Sequence, residues 1–475
     1  MRLTILGGGG FRVPLVYGAL LRDRAEGRVT HVTLHDLDPA RLTAIARVLA
    51  DQADGVTDAP AAPSVSVTTD LDDALRGADF VFSAIRVGGL EGRAADERIA
   101  LAEGVLGQET VGAGGIAYGL RTVPVAVDIA RRVARLAPDA WVINFTNPAG
   151  LVTEAMSRHL GERVIGICDS PVGLGRRVAR VLGADPARTR LDYVGLNHLG
   201  WLRGLYADDA PDHDLLPALF ADESALTSFE EGKLFGADWL RSLGSVPNEY
   251  LHYYYFNREA VTAYREAKQT RGAFLRDQQA RFYDDMADRT SGALAAWDRT
   301  RAEREATYMA ENREAAGAGE RAADDLESGG YEYVALALMR AIARDERTTL
   351  ILNVRNGATL SVLDEAAVIE VPCLVDATGA RPVTPVSPLT GHEAGLVAAV
   401  KAVERCVLEA GESGSERAAV KAFALHPLVD SVQVARRLLE GYRSAHPGLG
   451  YLRRDTRDTR DIRDTRDARD AQSRG

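Results

Sequence analysis

The chain opens on a short apolar run, Leu3–Leu6. Similar runs recur at Val32–His35, Val65–Thr68, Phe80–Ala84, Trp141–Phe145 and Val164–Ile167. Apolar stretches of this length suit strands buried on both faces of a parallel sheet. Between them apolar positions fall at helical spacing, most clearly over Thr122–Leu136. The first 170 residues therefore read as alternating strands and helices. From Tyr193 the pattern mixes. Tyr193–Leu196 and Trp201–Tyr206 predict strands, and 215–345 is mostly helical. Leu350–Asn353, Thr359–Val362 and Val368–Pro372 predict strands again, and Gly391 to about Tyr442 returns to helix.

The turn after the first run sharpens this picture. Gly7-Gly8-Gly9-Gly10 follows the first predicted strand at once, and the second ends in His35-Asp36. Strand, glycine turn, helix, strand and acid form the pattern of a dinucleotide-binding unit. The glycines let the backbone approach a pyrophosphate, and the helix N-terminus offers it free N–H groups. Asp36 is placed to accept hydrogen bonds from a ribose 2′-hydroxyl, which favours NAD over NADP. Gly7 and Gly9 fit the first two glycine positions, while Arg12 stands where the third would be. The expected fold is α/β. A Rossmann-type doubly wound sheet spans 1–170, and an α+β, largely helical unit for substrate and metal spans 171–450. Residues 451–475 form a charged tail.

Composition narrows the class. The 475 residues are 46% hydrophobic and 26% charged, ordinary for a globular protein with a large core. A net charge of -11 argues against a nucleic-acid surface. No apolar run is long enough to span a bilayer, and the N-terminus, opening on a core strand, has no leader architecture. Three scattered cysteines, Cys168, Cys373 and Cys406, make no disulfide framework, so a reducing cytoplasm is expected. From Arg453 the chain repeats Arg-Asp-Thr and close variants, which cannot bury a core. A disordered or weakly helical appendage is expected there.

Several segments carry candidate chemistry. Arg86 and Arg93 flank a glycine-bearing loop after Phe80–Ala84, near the carboxyl ends of the sheet where such folds bind ligands. Two arginines there suit an anion such as a phosphate; surface ion pairing is the plainer alternative. Gly107–Gly115 has the composition of a ligand loop and carries Glu109. Asn144-Phe145-Thr146-Asn147-Pro148 ends a strand in polar residues, and Asn147 suits a sugar hydroxyl, the nicotinamide ribose or an Asx turn. Cys168-Asp169 ends another strand, and His198 lies in Gly195–Trp201. As metal ligands, Cys168 and His198 would by softness alone favour zinc or iron. In Asn248–Tyr255, aromatic packing competes with a catalytic tyrosine.

In this order and spacing the segments resemble glycoside hydrolase family 4, the NAD- and metal-dependent glycosidases that act largely on 6-phosphorylated sugars. The resemblance runs from Met1 to about Tyr442. Its most specific stretches are Gly107–Gly115, Asn144–Gly150, Gly166–Pro171, Gly195–Trp201 and Asn248–Tyr254. It implies that Gly7, Gly8, Gly9 and Asp36 hold NAD, and that Cys168 and His198 bind a divalent metal, usually Mn²⁺. It implies that Tyr250 takes the proton from sugar C2, with Glu109 raising its basicity. Arg93, Asn147 and Arg271 would bind substrate. Asn144–Gly150 is closest to the 6-phospho-β-glucosidase branch, whereas an acid at Asp169 is typical of α-acting members, where it donates a proton.

The implied reaction is hydrolysis: hydride removal at C3, deprotonation at C2, loss of the aglycone, addition of water and return of the hydride. Ordinary glycosidases instead flank the bond with two carboxylates, and NAD-dependent family 4 is an exception. The expected partners are a sugar phosphate and further copies of the chain, as a dimer or tetramer, with no nucleic acid or membrane. Two readings compete: a 2-hydroxy-acid dehydrogenase of the lactate or malate type, which shares the N-terminal architecture and would release NADH, and a non-enzymatic NAD-binding regulator, which would have no use for Cys168, His198 and Tyr250 together.

Overall fold

The computed structural model describes residues 1–56, 60–289, 291–307, 313, 316 and 330–453. The repeat tail lies outside these residues from 454 on. Six strands begin the chain: β1 (Arg2–Leu6), β2 (His31–His35), β3 (Ser64–Thr68), β4 (Phe80–Ser83), β5 (Trp141–Asn144) and β6 (Val164–Gly166). They pair in parallel in the order β3-β2-β1-β4-β5-β6. This is the order of a doubly wound dinucleotide fold. The central apolar runs are continuous because successive side chains feed different cores. Phe80, Phe82 and Ile143 join one cluster with the helices Val13–Arg22 and Pro39–Asp54. Val81 and Val142 join another with Gly112–Leu136 and Ala149–Leu160.

The sheet does not stop at residue 170. It continues through β7 (Thr189–Leu196), β8 (Leu199–Ala207), β9 (Val246–Pro247), β10 (Thr348–Arg355), β11 (Val368–Asp376) and β12 (Gly379–Pro382). The path runs β6-β10-β11-β7-β8-β9, with β12 on β11, and these pairings are antiparallel. One twelve-stranded sheet thus carries both halves, joined where Asn353 pairs with Gly166 and Glu370 with Gly195. Over the first half lie the helices Arg271–Asp288, Ala293–Ala306 and Tyr331–Arg344. Gly391–Ser413, Glu416–Leu425 and Val432–Ala445 build a separate core against Gly112–Leu136.

Three local expectations change. Thr359–Val362 is a turn, not a strand, because the buried Asn356 side chain gathers it. That amide donates to the carbonyls of Leu360, Leu363 and Asp364 and accepts from the Leu360 N–H. Gly112–Gly115 is the first turn of the helix Gly112–Leu136, not loop. Its glycines allow a close approach: a Cβ on Gly114 would meet the Gln108 carbonyl oxygen at 2.2 Å. The tyrosine cluster is a 3₁₀ turn, Glu249–Leu251, followed by a short helix, His252–Tyr255. Among the described residues no helix is long and apolar enough to cross a membrane. All three cysteines are free and buried.

Candidate functional site

A cavity of about 1760 Å³ lies at the carboxyl ends of the parallel strands. At one end is the glycine turn. Gly7 has φ +81°, and a Cβ there would meet the Ala84 carbonyl oxygen at 2.6 Å. A Cβ on Gly8 would meet Leu34 at 2.7 Å, and one on Gly9 would meet Arg41 at 2.8 Å. The turn is thus pinched between β1, β2 and β4, which leaves the bare backbone that a pyrophosphate needs. Asp36 follows β2, and its Oδ2 accepts from the Gly9 N–H at 3.0 Å. Beside it Leu37 lines the cavity, 86% exposed. Arg12 does not block the turn. It is the N-cap of Val13–Arg22, and its guanidinium lies 5.3 Å from the Tyr331 ring and 5.8 Å from that of Phe145. These features fit a bound dinucleotide.

The middle of the cavity carries the candidate chemistry. Cys168 and Asp169 follow β6, and Asp169 is the N-cap of Ser170–Val181. His198 sits in the β7–β8 turn in the left-handed region, φ +61°. Its Nδ1 is 2.7 Å from the Thr110 hydroxyl, which leaves Nε2 for a ligand. Burial pushes the imidazole down to about 3, against the opposing pull of Glu109, so the ring stays neutral and its lone pair available. Burial pushes the Cys168 thiol up, and Glu370 and Asp169 push it further. A thiolate there requires a cation beside it. Among the described residues no group of three or more His, Cys, Asp or Glu is arranged to hold a metal. Cys168 and His198 both line the cavity, and their thiolate and neutral imidazole are the donors that would hold a divalent ion there.

Tyr250 stacks on His198 with centroids 3.6 Å apart and planes 5° from parallel. Its N–H is held by the Asn248 side chain at 3.1 Å. Tyr253, Tyr254 and Tyr255 serve packing, facing Tyr264, His426 and Trp239 respectively. The buried Asn147 Oδ1 has no hydrogen-bond partner among the described residues, an acceptor placed for a ligand donor. Behind Cys168, Glu370 is fully buried on β11 and accepts from Tyr193, Asn197 and Asn353. Burial raises it to about 7 against those three hydrogen bonds.

The cationic wall differs from expectation. Arg86 and Arg93 do not stand ready for an anion: both bracket Glu109, and Arg93 Nε also holds Glu97 at 2.9 Å. These two arginines hold Glu109 well below the usual carboxylate range, although its burial works the other way. The anion-seeking positions lie on the helices above. Arg271 is buried and bonds the Thr307 hydroxyl at 2.6 Å and the Arg304 carbonyl at 2.8 Å. Arg304 lines the same wall. Burial and the cations of Arg12, Arg271 and Arg93 disfavour its charge, a penalty that an anion would relieve. Sequence reasoning missed Arg304, Thr110 and Glu370. Only Thr110 lies inside a candidate segment, Gly107–Gly115.

Eleven of the residues expected at the site line this one cavity: Gly7, Asp36, Arg86, Arg93, Glu109, Asn147, Cys168, Asp169, His198, Tyr250 and Arg271. Gly8 and Gly9 build the turn beneath it.

Comparison with known proteins bears on this arrangement. Residues 2–184 match the model of the family 4 glycosyl hydrolases, and residues 193–429 that of the family 4 glycosyl hydrolase C-terminal domain. The chain is 33% identical over 392 residues to a probable 6-phospho-beta-glucosidase of Bacillus subtilis, covering 80% of this chain and 82% of the relative. It is 30% identical to a maltose-6'-phosphate glucosidase of the same organism, over 92% of this chain and 94% of the relative. Among solved structures it is similar to the 6-phospho-beta glucosidase of Thermotoga maritima with manganese, NAD⁺ and glucose-6-phosphate. That match has a TM-score of 0.77 and 25% identity, over 96% of this chain and 100% of the other.

Proposed function

This chain belongs to glycoside hydrolase family 4, and from that premise we propose that it hydrolyses 6-phospho-β-glucosides with NAD and a divalent metal such as Mn²⁺. The observation that carries the reading is one continuous cavity. It runs from the Gly7–Asp36 cradle, past Cys168, His198 and Tyr250, to Arg271 and Arg304. A sugar phosphate needs those three neighbourhoods side by side. The first relative above is a probable β-acting enzyme, and the Thermotoga maritima enzyme holds glucose-6-phosphate with manganese and NAD⁺.

The bound groups supply a reversible hydride acceptor for sugar C3 and a Lewis acid that makes the C2 proton removable. The chain's own residues do the rest. Asn147 Oδ1 accepts a sugar hydroxyl. Tyr250 takes the C2 proton as general base, its ring fixed against the His198 imidazole so that base and ligand keep one spacing. Glu109 remains anionic between Arg86 and Arg93 and is the acid that the family resemblance pairs with Tyr250. Arg271 and Arg304, with Arg12 beside them, take the 6-phosphate. Asp169, at the mouth of its helix, assists departure of the aglycone. An acid at that position also supports action on α-linked 6-phosphoglucosides.

One assay tests the reading: nitrophenyl glucosides of both linkages, with and without a 6-phosphate, supplied with NAD⁺ and Mn²⁺ under reducing conditions. Hydrolysis of the phosphorylated β-substrate without accumulation of NADH is expected. NADH formed in step with product would make the protein a dehydrogenase, and preference for the unphosphorylated sugar would overturn the substrate class.

A further inference from the structure

The glycine turn is gripped from outside the half of the chain that builds it. Three aromatic side chains, one on each of three helices from the second half, donate to carbonyl oxygens of the stretch Gly9–Arg12. The Tyr283 hydroxyl, on Arg271–Asp288, reaches the Gly9 carbonyl at 2.7 Å. The Trp297 indole N–H, on Ala293–Ala306, reaches the Phe11 carbonyl at 2.8 Å. The Tyr331 hydroxyl, on Tyr331–Arg344, reaches the Arg12 carbonyl at 2.8 Å. The Phe11 ring then packs edge-on to Phe282 at 5.3 Å and beside Trp297 at 5.8 Å. Arg41, which borders Gly9, lies 4.1 Å from the Tyr283 ring.

A turn rich in glycine has peptide planes that rotate easily, because no Cβ restrains them. A phosphate-binding turn works only if its N–H groups face the anion and its carbonyls do not. Here each of the three carbonyls is fixed by a donor approaching from the helices. We propose that Tyr283, Trp297 and Tyr331 are positioning residues of the nucleotide site. By holding the carbonyls of Gly9, Phe11 and Arg12, they keep the turn in its phosphate-accepting form before the dinucleotide arrives. The second half of the chain thereby sets affinity for a ligand whose direct contacts lie in the first. The proposal rests on the reading that this turn holds NAD.

The test is equilibrium binding of NAD⁺ and, separately, of glucose 6-phosphate. It uses the full chain and its Tyr283→Phe, Trp297→Phe and Tyr331→Phe variants, with Tyr333→Phe as an exposed control on the Tyr331–Arg344 helix. Each of the three variants removes one donor and keeps an aromatic ring. The NAD⁺ Kd is expected to rise about 2- to 10-fold in each, the size of one net hydrogen bond. The Kd for glucose 6-phosphate should change much less than that for NAD⁺, and the Tm should fall modestly, since each variant leaves a carbonyl without its donor. Packing alone would weaken both ligands together, and that outcome overturns the proposal. Unchanged NAD⁺ affinity in all three variants overturns it as well, while leaving the functional reading intact. A wild-type protein that binds no NAD⁺ sinks both. Should Trp297→Phe fail to fold, the two tyrosine variants carry the test.

Discussion

At the scale of single residues, the site separates groups that do chemistry from groups that hold others in place. Tyr250→Phe is expected to slow turnover by about 10²–10⁴-fold, the usual effect of removing a placed general base. NAD⁺ affinity, read by titration, should not change. The arginines should divide by the company they keep. Arg304→Ala should raise KM for a 6-phosphoglucoside by about one to two decades, since a charge-assisted contact to phosphate contributes roughly 1.5–3 kcal/mol. Arg93→Ala should act chiefly on kcat, because Arg93 holds Glu109 and Glu97. Steady-state kinetics on both variants decides this: equal KM effects would erase the division. Cys168, His198, Asn147, Glu109 and Tyr250 stood out in the sequence through the family resemblance of the short segments that carry them, since spacing alone left packing as the plainer role for Tyr250, and all five line one cavity. Arg304 did not stand out. It lies in a charged helix among Arg299, Arg301 and Glu305, where nothing local distinguishes an arginine facing a cavity from one facing solvent.

At the scale of elements, the central parallel strands β1, β4, β5 and β6 were readable because burial on both faces leaves no polar alternation, whereas the edge strand β3 alternates and is largely exposed. The start of Gly112–Leu136 was not readable, since glycine composition argued for loop. The reason for those glycines is tertiary: helix and loop touch backbone to backbone. Gly114→Ala should therefore force a Cβ into the Gln108 carbonyl and displace the stretch that bears Glu109 and Thr110. Overpacking of this kind typically costs 1–3 kcal/mol. A lowered Tm together with a lowered kcat is expected, and a variant normal in both would show that the helix shifts freely. The turn at Thr359–Val362 leaves no local signal for a related reason, because its shape comes from the side chain of Asn356 and not from its own residues.

At the scale of the whole molecule, buried titratable groups set how stability follows pH. Burial lowers both His252 and His426 to about 4. Unfolding returns them to ordinary imidazoles that bind protons below about 6.5. Above that pH neither state is charged and the pair contributes no slope. As pH falls from about 6.5 towards 4, the unfolded chain takes up protons that the folded one refuses, so stability drops by up to about 1.4 kcal/mol per pH unit for each histidine. Glu370, raised to about 7, acts in the opposite sense and loses stability as pH rises from about 4.5 through 7. Tm measured from pH 4 to 7 in wild type and in His426→Gln tests the histidine term; the variant should show the shallower acid slope, and identical slopes would refute it. Activity, in turn, should vanish on removal of either bound nucleotide or divalent metal and return only when both are restored. Full activity after exhaustive chelation would end the metal assignment. What the sequence could not reveal at this scale was the seam at Gly166, since antiparallel pairing with a strand nearly two hundred residues later leaves no local trace.

That seam also dictates a timetable. The ribosome completes β6 at Gly166, but the strand that covers its outer edge, β10, ends at Arg355. At about 5–20 residues per second, a nascent chain carries an open parallel-sheet edge for roughly 10–40 s. An unpaired edge of that kind recruits other strands. Yield in cells should accordingly respond to translation speed and to holdase chaperones more than the finished protein's stability would suggest.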